Sequence, residues 1–117
     1  MEINKELMKG STVILVLTVL GRREMYGYEL IKEIERTSEG VFHLKEGTLY
    51  PILHQLESDG YVESSWVGEE GSRQRKYYRI TKQGRASLKE KRAEWASFRS
   101  AVDKILFGNK LLNGGIG

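Results

Sequence analysis

The sequence predicts a mainly α-helical domain with one small β-hairpin and a long C-terminal helix, and three observations carry that expectation. In residues 46–62 (EGTLYPILHQLESDGYV), Leu49, Ile52, Leu53 and Leu56 recur at spacings of three and four, which marks one buried helix face. Residues 61–67 and 74–80 are strand-like runs on either side of Gly68-Glu69-Glu70-Gly71-Ser72-Arg73, a hairpin whose loop is longer than two residues. From Lys82 to about Phe107, the residues Leu88, Trp95, Phe98, Val102 and Ile105 are spaced seven, three, four and three, as in a packing seam for another helix. A short amphipathic helix that runs straight into a β-hairpin is the arrangement of a winged helix-turn-helix, and the rest of the chain reads as its support.

Taken in order, residues 1–20 read as a first helix. Ile3, Leu7 and Met8 begin an apolar stripe, and after Ser11-Thr12 the run VILVLTVL is apolar nearly all round. A helix apolar on every face is usually covered on every face. One core in a chain of 117 residues cannot do that, so a second subunit is expected against it. A buried strand competes, since Val and Ile abound, but the helical lead-in from Asn4 favours helix. Gly21-Arg22-Arg23 is a turn. Met25-Tyr26-Gly27 then leads to a second helix over about residues 28–37, with Leu30, Ile31 and Ile34 inward and Glu29, Lys32, Glu33, Glu35 and Arg36 in solvent.

Val41-Phe42-His43-Leu44 reads as a short third strand beside the wing. The central helix should start near Gly47 or Thr48, because Pro51 lacks an N–H and fits a first turn best; Gly60 stops it after about Asp59. Thr81 suits the N-cap of the long helix. The expected division is a winged helix-turn-helix over residues 1–81, with residues 1–20 also touching a second subunit, a dimerisation helix over 82–108, and a flexible, glycine-rich tail over 109–117.

Composition excludes several classes of function. The chain is 39% hydrophobic and 30% charged, enough for one small fold that self-association would help. It has no cysteine, so neither a disulfide framework nor a thiolate metal site is available. His43 and His54 leave little for a metal, and no serine has a plausible His and Asp set. The two acids of Gly68-Glu69-Glu70-Gly71 are wrong for cradling phosphate. No catalytic activity, metal or cofactor is therefore expected. No signal peptide is evident, and the apolar run after Thr12 is far shorter than the roughly 20 residues of a membrane span. A cytoplasmic protein without a membrane partner follows as the default.

Charge is unevenly placed. Residues 1–71 hold 7 Lys/Arg against 13 Asp/Glu, whereas residues 72–117 hold 12 against 3. Within residues 72–92, Arg73, Arg75, Lys76, Arg79, Lys82, Arg85, Lys89, Lys91 and Arg92 face Glu90 alone. A basic block beside an acidic remainder suggests a polyanion partner; a solvated helix face is the plainer alternative. Double-stranded DNA fits the architecture. The start of the central helix can present Lys45, Thr48 and Tyr50 to a major groove, and Gly47 lets backbone approach a phosphate. Ser72, Arg73, Gln74, Arg75 and Lys76 on the wing can reach the adjacent minor groove or its phosphates. The competing roles are capping for Thr48, core packing for Tyr50 and hairpin solubility for the arginines.

Tyr26-Gly27-Tyr28-Glu29-Leu30, Gly47-Thr48-Leu49-Tyr50-Pro51, Leu56-Glu57-Ser58-Asp59-Gly60, Arg75-Lys76-Tyr77-Tyr78-Arg79-Ile80-Thr81 and Gly84 together resemble the PadR family of bacterial transcriptional regulators, across about residues 5–107. The single long C-terminal helix is similar to the short branch of that family, which includes multidrug-sensing repressors. The resemblance implies a homodimer built from the first and last helices, with Leu17, Leu88, Phe98, Val102 and Ile105 at the interface. It also implies a repressor on an inverted-repeat operator whose DNA affinity falls when a small molecule binds. A tryptophan fourteen residues after the motif threonine can line a ligand cavity in that branch, and Thr81 and Trp95 have that separation. Leu7, Ile14, Trp95 and Arg99 are the effector-binding residues so implied, for a small aromatic effector. Lys91, Arg92 and Arg99 lie within a turn of Trp95, a departure from an acid-lined pocket for cationic drugs. Dimer packing is the alternative role of Trp95. A winged-helix adaptor that binds protein and not an operator is the alternative for the whole chain; an arginine-rich wing tip is what such an adaptor would not need.

Overall fold

The computed structural model of the chain describes residues 10–108. In order, the elements are α1 (Thr12–Leu20), β1 (Met25–Tyr26), α2 (Gly27–Thr37), α3 (Glu46–Ser58), β2 (Val62–Val67), β3 (Arg75–Ile80) and α4 (Lys82–Phe107). The three strands form one antiparallel sheet in the order β1-β3-β2. The fold is thus mainly helical with a small winged sheet and a long last helix, as the apolar spacing predicts.

Every element contributes to one core. Val16, Leu17 and Leu20 from α1 meet Leu30 and Ile34 from α2, Leu49, Leu53 and Leu56 from α3, and Met25, Val62 and Tyr78 from the sheet. Leu88 joins them from the first third of α4. α1 sits in the middle, packed against α2, α4 and β3, and none of its residues is exposed. Val16, Leu17, Val19 and Leu20 are buried within the chain, whereas Val13, Ile14, Leu15 and Thr18 stay half-buried. Three elements of the same chain converge on the buried side of α1. Ile3, Leu7 and Met8 lie outside the described residues.

The third strand is β1 and not residues 41–44. Met25 pairs with Tyr78 and Tyr26 with Tyr77, on the side of β3 that β2 leaves open. Residues 41–44 are irregular because their backbone donors are taken locally. The Val41 N–H donates to the Ser38 carbonyl at 3.1 Å and the Phe42 N–H to Ser38 Oγ at 3.0 Å. Leu44 is buried all the same, so the apolar run serves the core without joining the ladder.

α3 begins at Glu46, slightly earlier than Pro51 suggests, and Pro51 falls in its second turn. The carbonyl left without its helical donor is that of Gly47, an exposed residue that water can reach. At the other end the Gly60 N–H donates to the Glu57 carbonyl at 3.1 Å and the Tyr61 N–H to that of Leu56 at 2.9 Å. This pair of bonds closes a Schellman turn, and it requires a left-handed residue, which Gly60 supplies at φ 81°. The chain is thereby aimed from α3 directly into β2.

α4 is joined to the sheet by Thr81. Its Oγ accepts from the Gly84 N–H at 3.0 Å, as the N-cap expectation requires, and donates to the Gly60 carbonyl at 2.6 Å. Gly84 is buried against the Tyr61 carbonyl and Ile80, so the helix leaves the sheet at a point of close backbone approach. A helix of 26 residues runs about 39 Å, and only its start is covered. Beyond Leu88 it carries Trp95, Phe98 (61% exposed), Ile105 (86%), Leu106 and Phe107 on its surface.

Candidate nucleic-acid interface

The start of α3 is open. Lys45 is the N-cap residue in extended conformation, and its carbonyl accepts from the Thr48 and Leu49 N–H groups at 3.0 and 2.9 Å. No side chain caps this terminus, so the first amides stay available, with the positive end of the helix dipole behind them. Lys45, Gly47 and Thr48 are all exposed, and a side chain at Gly47 would meet nothing. Tyr50 is placed differently. It is half-buried against the core with its hydroxyl on the backbone of Gly27, so packing is its structural role.

The wing brings the second set of residues forward. β2 and β3 pair from Val62↔Ile80 to Val67↔Arg75, and the seven residues between them form the tip. Gly71, at φ 85°, lets residues 69–72 turn back, and the Ser72 N–H and hydroxyl both donate to the Glu69 carbonyl, at 3.1 and 2.8 Å. The Ser72 hydroxyl is therefore engaged in shaping the tip. Arg73, Gln74 and Arg75 are exposed beside it. The Arg75 guanidinium lies 4.8 Å from the Tyr26 ring centroid, and Tyr26 in turn stands edge-on to Tyr77 at 5.4 Å. That contact orients Arg75 and leaves its charge uncompensated.

Several arginines elsewhere in the chain are paired with carboxylates. Arg22 and Arg36 are paired with Glu33, Arg23 with Glu29 at 3.2 Å, and Arg79 with Glu63 at 2.8 Å. The hydrogen bond from Arg36, helped by the charges of Arg36, Arg22 and Arg23, holds the Glu33 carboxyl below its ordinary pKa. Lys76 faces Glu57 at 3.7 Å. Among the described residues, Arg73 and Arg75 have no carboxylate partner.

Between the start of α3, β1 and the wing lies a groove of about 420 Å³, lined by Tyr26, Tyr28, Tyr50, Trp66, Arg73 and Arg75 among others. Sequence reasoning missed Tyr26, Tyr28 and Trp66. Trp66 was legible from the period-two alternation Val62-Ser64-Trp66, which puts it on the strand face that looks toward α3. Tyr26 and Tyr28 were not, because only the pairing of β1 with β3 carries them to this side. Tyr78, beneath the groove, is buried, and that burial pushes its phenol pKa up.

The other expected sites divide. Leu17 and Leu88 are 0% and 6% exposed in their own chain's core, so neither presents a free face to a second copy. Both are packed where α1 and α4 meet. Phe98 and Ile105 remain exposed, and Val102 is half-buried. Ile14 packs against the core, Leu7 lies outside the described residues, and Trp95 stands with Phe98 on the projecting part of α4, ring centroids 6.0 Å apart. Arg99 reaches Asp103 at 3.8 Å, which offsets part of the positive charge near Trp95. His43 lies 3.4 Å from Glu35 and His54 beside Tyr50, and no cluster of three metal-ligating side chains occurs among the described residues. None of the described helices is long and apolar enough to cross a membrane.

Known proteins share both the sequence and this arrangement. The profile of the transcriptional regulator PadR-like family matches residues 16–90. The transcriptional regulator Rv3488 of Mycobacterium tuberculosis is 35% identical over 88 residues, which span 75% of this chain and 78% of that protein. A transcriptional regulator from Clostridium thermocellum superposes with a TM-score of 0.80 at 34% identity, over 86% of this chain and 98% of the other. A PadR family transcriptional regulator from Eggerthella lenta does so at 0.77 and 40% identity, over 89% and 88%. With the matched region running from α1 through the wing into α4, the chain belongs to the PadR-like family of transcriptional regulators.

Proposed function

We propose that this regulator binds double-stranded DNA as a homodimer, acts as a repressor on an inverted repeat, and is released by a small aromatic effector. The observation that carries the DNA reading is that Arg73 and Arg75, without a carboxylate partner among the described residues, are held on a shaped wing tip beside the exposed start of α3. Lys45, Gly47 and Thr48 then face the major groove, and the wing reaches the neighbouring minor groove or its phosphates. Half-sites about one helical turn apart follow from two such heads related by a two-fold axis. Residues 1–81 act as the DNA-binding head. The projecting part of α4, with Phe98, Val102 and Ile105, is the dimerisation element, supported by an apolar surface too large to leave in water.

The test starts with genomic fragments selected by the purified protein. Arg73→Ala and Arg75→Ala should each weaken binding, and each should reduce the slope of log affinity against log salt by about 0.9, with the melting temperature unchanged. Wild-type affinity in both variants would remove the wing from the DNA contacts and favour the adaptor role.

The effector reading rests on Trp95, an exposed flat ring beside Phe98 on the projecting part of α4. Two such rings near a two-fold axis can hold a planar aromatic by offset stacking. A ligand there changes the angle between the two long helices, and so the distance between the two α3 helices. Lys91, Arg92 and Arg99 favour neutral or anionic aromatics over cations. Titrating an aromatic panel against tryptophan emission in a Trp66→Phe background isolates Trp95. No quenching by any compound, or unchanged ligand affinity in Trp95→Ala, would reduce Trp95 to packing.

A further inference from the structure

Glu57 lies in the last turn of α3 and points at both strands of the wing at once. One carboxylate oxygen accepts a hydrogen bond from Ser64 Oγ on β2. The other faces Lys76 Nζ on β3 at 3.7 Å. Ser64 sits opposite Tyr78 in the ladder and Lys76 opposite Trp66, so a single carboxylate spans the width of the hairpin. The Lys76 ammonium also lies 5.4 Å from the centroid of the buried Tyr78 ring. Both charged side chains are about two-thirds covered. Among the described residues, this is the only ion pair between α3 and the wing.

Resting on the DNA-binding reading above, we propose that Glu57 is a positioning residue that locks the wing to α3 and sets the distance between the two DNA-contacting elements. Lys76 serves this lock and not a phosphate. The physical reason is one of geometry. A helix and a wing that enter neighbouring grooves must hold a fixed separation, and any freedom between them is lost on binding and subtracts from affinity. A partly buried carboxylate with both oxygens engaged restricts that freedom in the free protein. Its partner Lys76 is already neutralised and seated on a ring, unlike Arg73 and Arg75, so it has little charge left to offer DNA.

The two roles of Lys76 give different salt behaviour. Removing a phosphate contact lowers the salt slope by about 0.9, whereas loosening a lock lowers affinity at every salt concentration and leaves the slope alone. The experiment measures anisotropy of a selected genomic fragment with the full chain at several salt concentrations, for Glu57→Gln, Lys76→Met and the reversed pair Glu57→Lys with Lys76→Glu. Hydrogen exchange is followed in the same proteins without DNA. Glu57→Gln and Lys76→Met should each weaken binding about three- to tenfold at unchanged slope, as expected for two coupled side chains in contact. Exchange over residues 62–80 should rise while that of α4 stays at the wild-type level. The reversed pair should recover part of both losses.

A reduced slope in Lys76→Met would make Lys76 a phosphate contact and overturn the proposal. So would wild-type affinity and exchange in Glu57→Gln, or no recovery in the reversed pair. If the wild type binds no genomic fragment, the DNA reading falls, and the exchange data on the free protein still decide whether the lock exists.

Discussion

The wing tip and the projecting part of α4 both extend beyond the core, and they expose opposite chemistry. The tip exposes Arg73 and Arg75 with no carboxylate partner among the described residues, on a hairpin held by its own ladder and by Glu57. The end of α4 exposes Phe98, Ile105, Leu106 and Phe107, on a helix held only at its start by Thr81, Gly84 and Leu88. Single exposed apolar residues are ordinary, but a run of large ones along one helix is not, and it is stabilised by another protein surface. Unpaired cations on a shaped tip are stabilised by a polyanion. The two projections thus ask for two different partners, which is what the proposed dimeric, DNA-binding mode of action requires.

Both projections depend on the joint at Gly84, and a substitution there has the largest expected effect. A methyl group at Gly84 would fall on the Tyr61 carbonyl and within 2.7 Å of Ile80 Cγ1, and backbone cannot give way as a side chain can. Gly84→Ala should cost about 2–3 kcal/mol, lower the melting temperature by about 10 °C, and impair both DNA binding and assembly. An unchanged melt would mean that α4 is not anchored to the sheet as described. The next effect separates the two projections. Phe98→Glu combined with Ile105→Glu should raise the dimer dissociation constant by about a hundredfold or more while the head keeps its melting temperature, read by sedimentation across a concentration series. A dimer indifferent to this change would break the comparison, because the apolar end of α4 would then have some other partner.

The smallest effect concerns the arginines that the wing pair is contrasted with. Glu33, under the hydrogen bond from Arg36 and the nearby charges of Arg36, Arg22 and Arg23, should titrate below the ordinary carboxylate range in carbon-detected NMR. Since its pKa is depressed on folding, its contribution to stability is complete above the unfolded-state pKa. That contribution disappears as pH falls through the lower folded value. A midpoint at the ordinary value would mean that these arginines are as free as Arg73 and Arg75, and the contrast between the two sets would vanish.

Much of this was legible in residue spacing. Leu49, Leu53 and Leu56 are buried as their period requires, the two strands flank the charged tip, and Thr81 caps α4. What misled was local likeness without a partner. Residues 41–44 look like a strand, but the Val41 and Phe42 amides are spent on Ser38, whereas Met25 and Tyr26 become one because β3 offers them an open edge. Pro51 argued for a later helix start, yet the exposed Gly47 carbonyl lets α3 accept it in a second turn. Leu88 fits a seam by spacing, and the same spacing serves an intrachain core.

The sequence by itself determined the helices, the hairpin, the caps and the division between an acidic first part and a basic second part. These depend on side chains a few residues apart, whose periodicity and turn chemistry are written in order along the chain. Only the tertiary structure decided which apolar faces the chain covers itself and which cations it neutralises. Burial of Leu17 depends on α2, α4 and β3 arriving around it. The charge of Lys76 is met by Glu57 because a turn at Gly60 folds the hairpin back along α3, while Arg73 and Arg75 have no carboxylate partner among the described residues. Spacing says what a residue could face; the positions of residues far along the chain say what it does face.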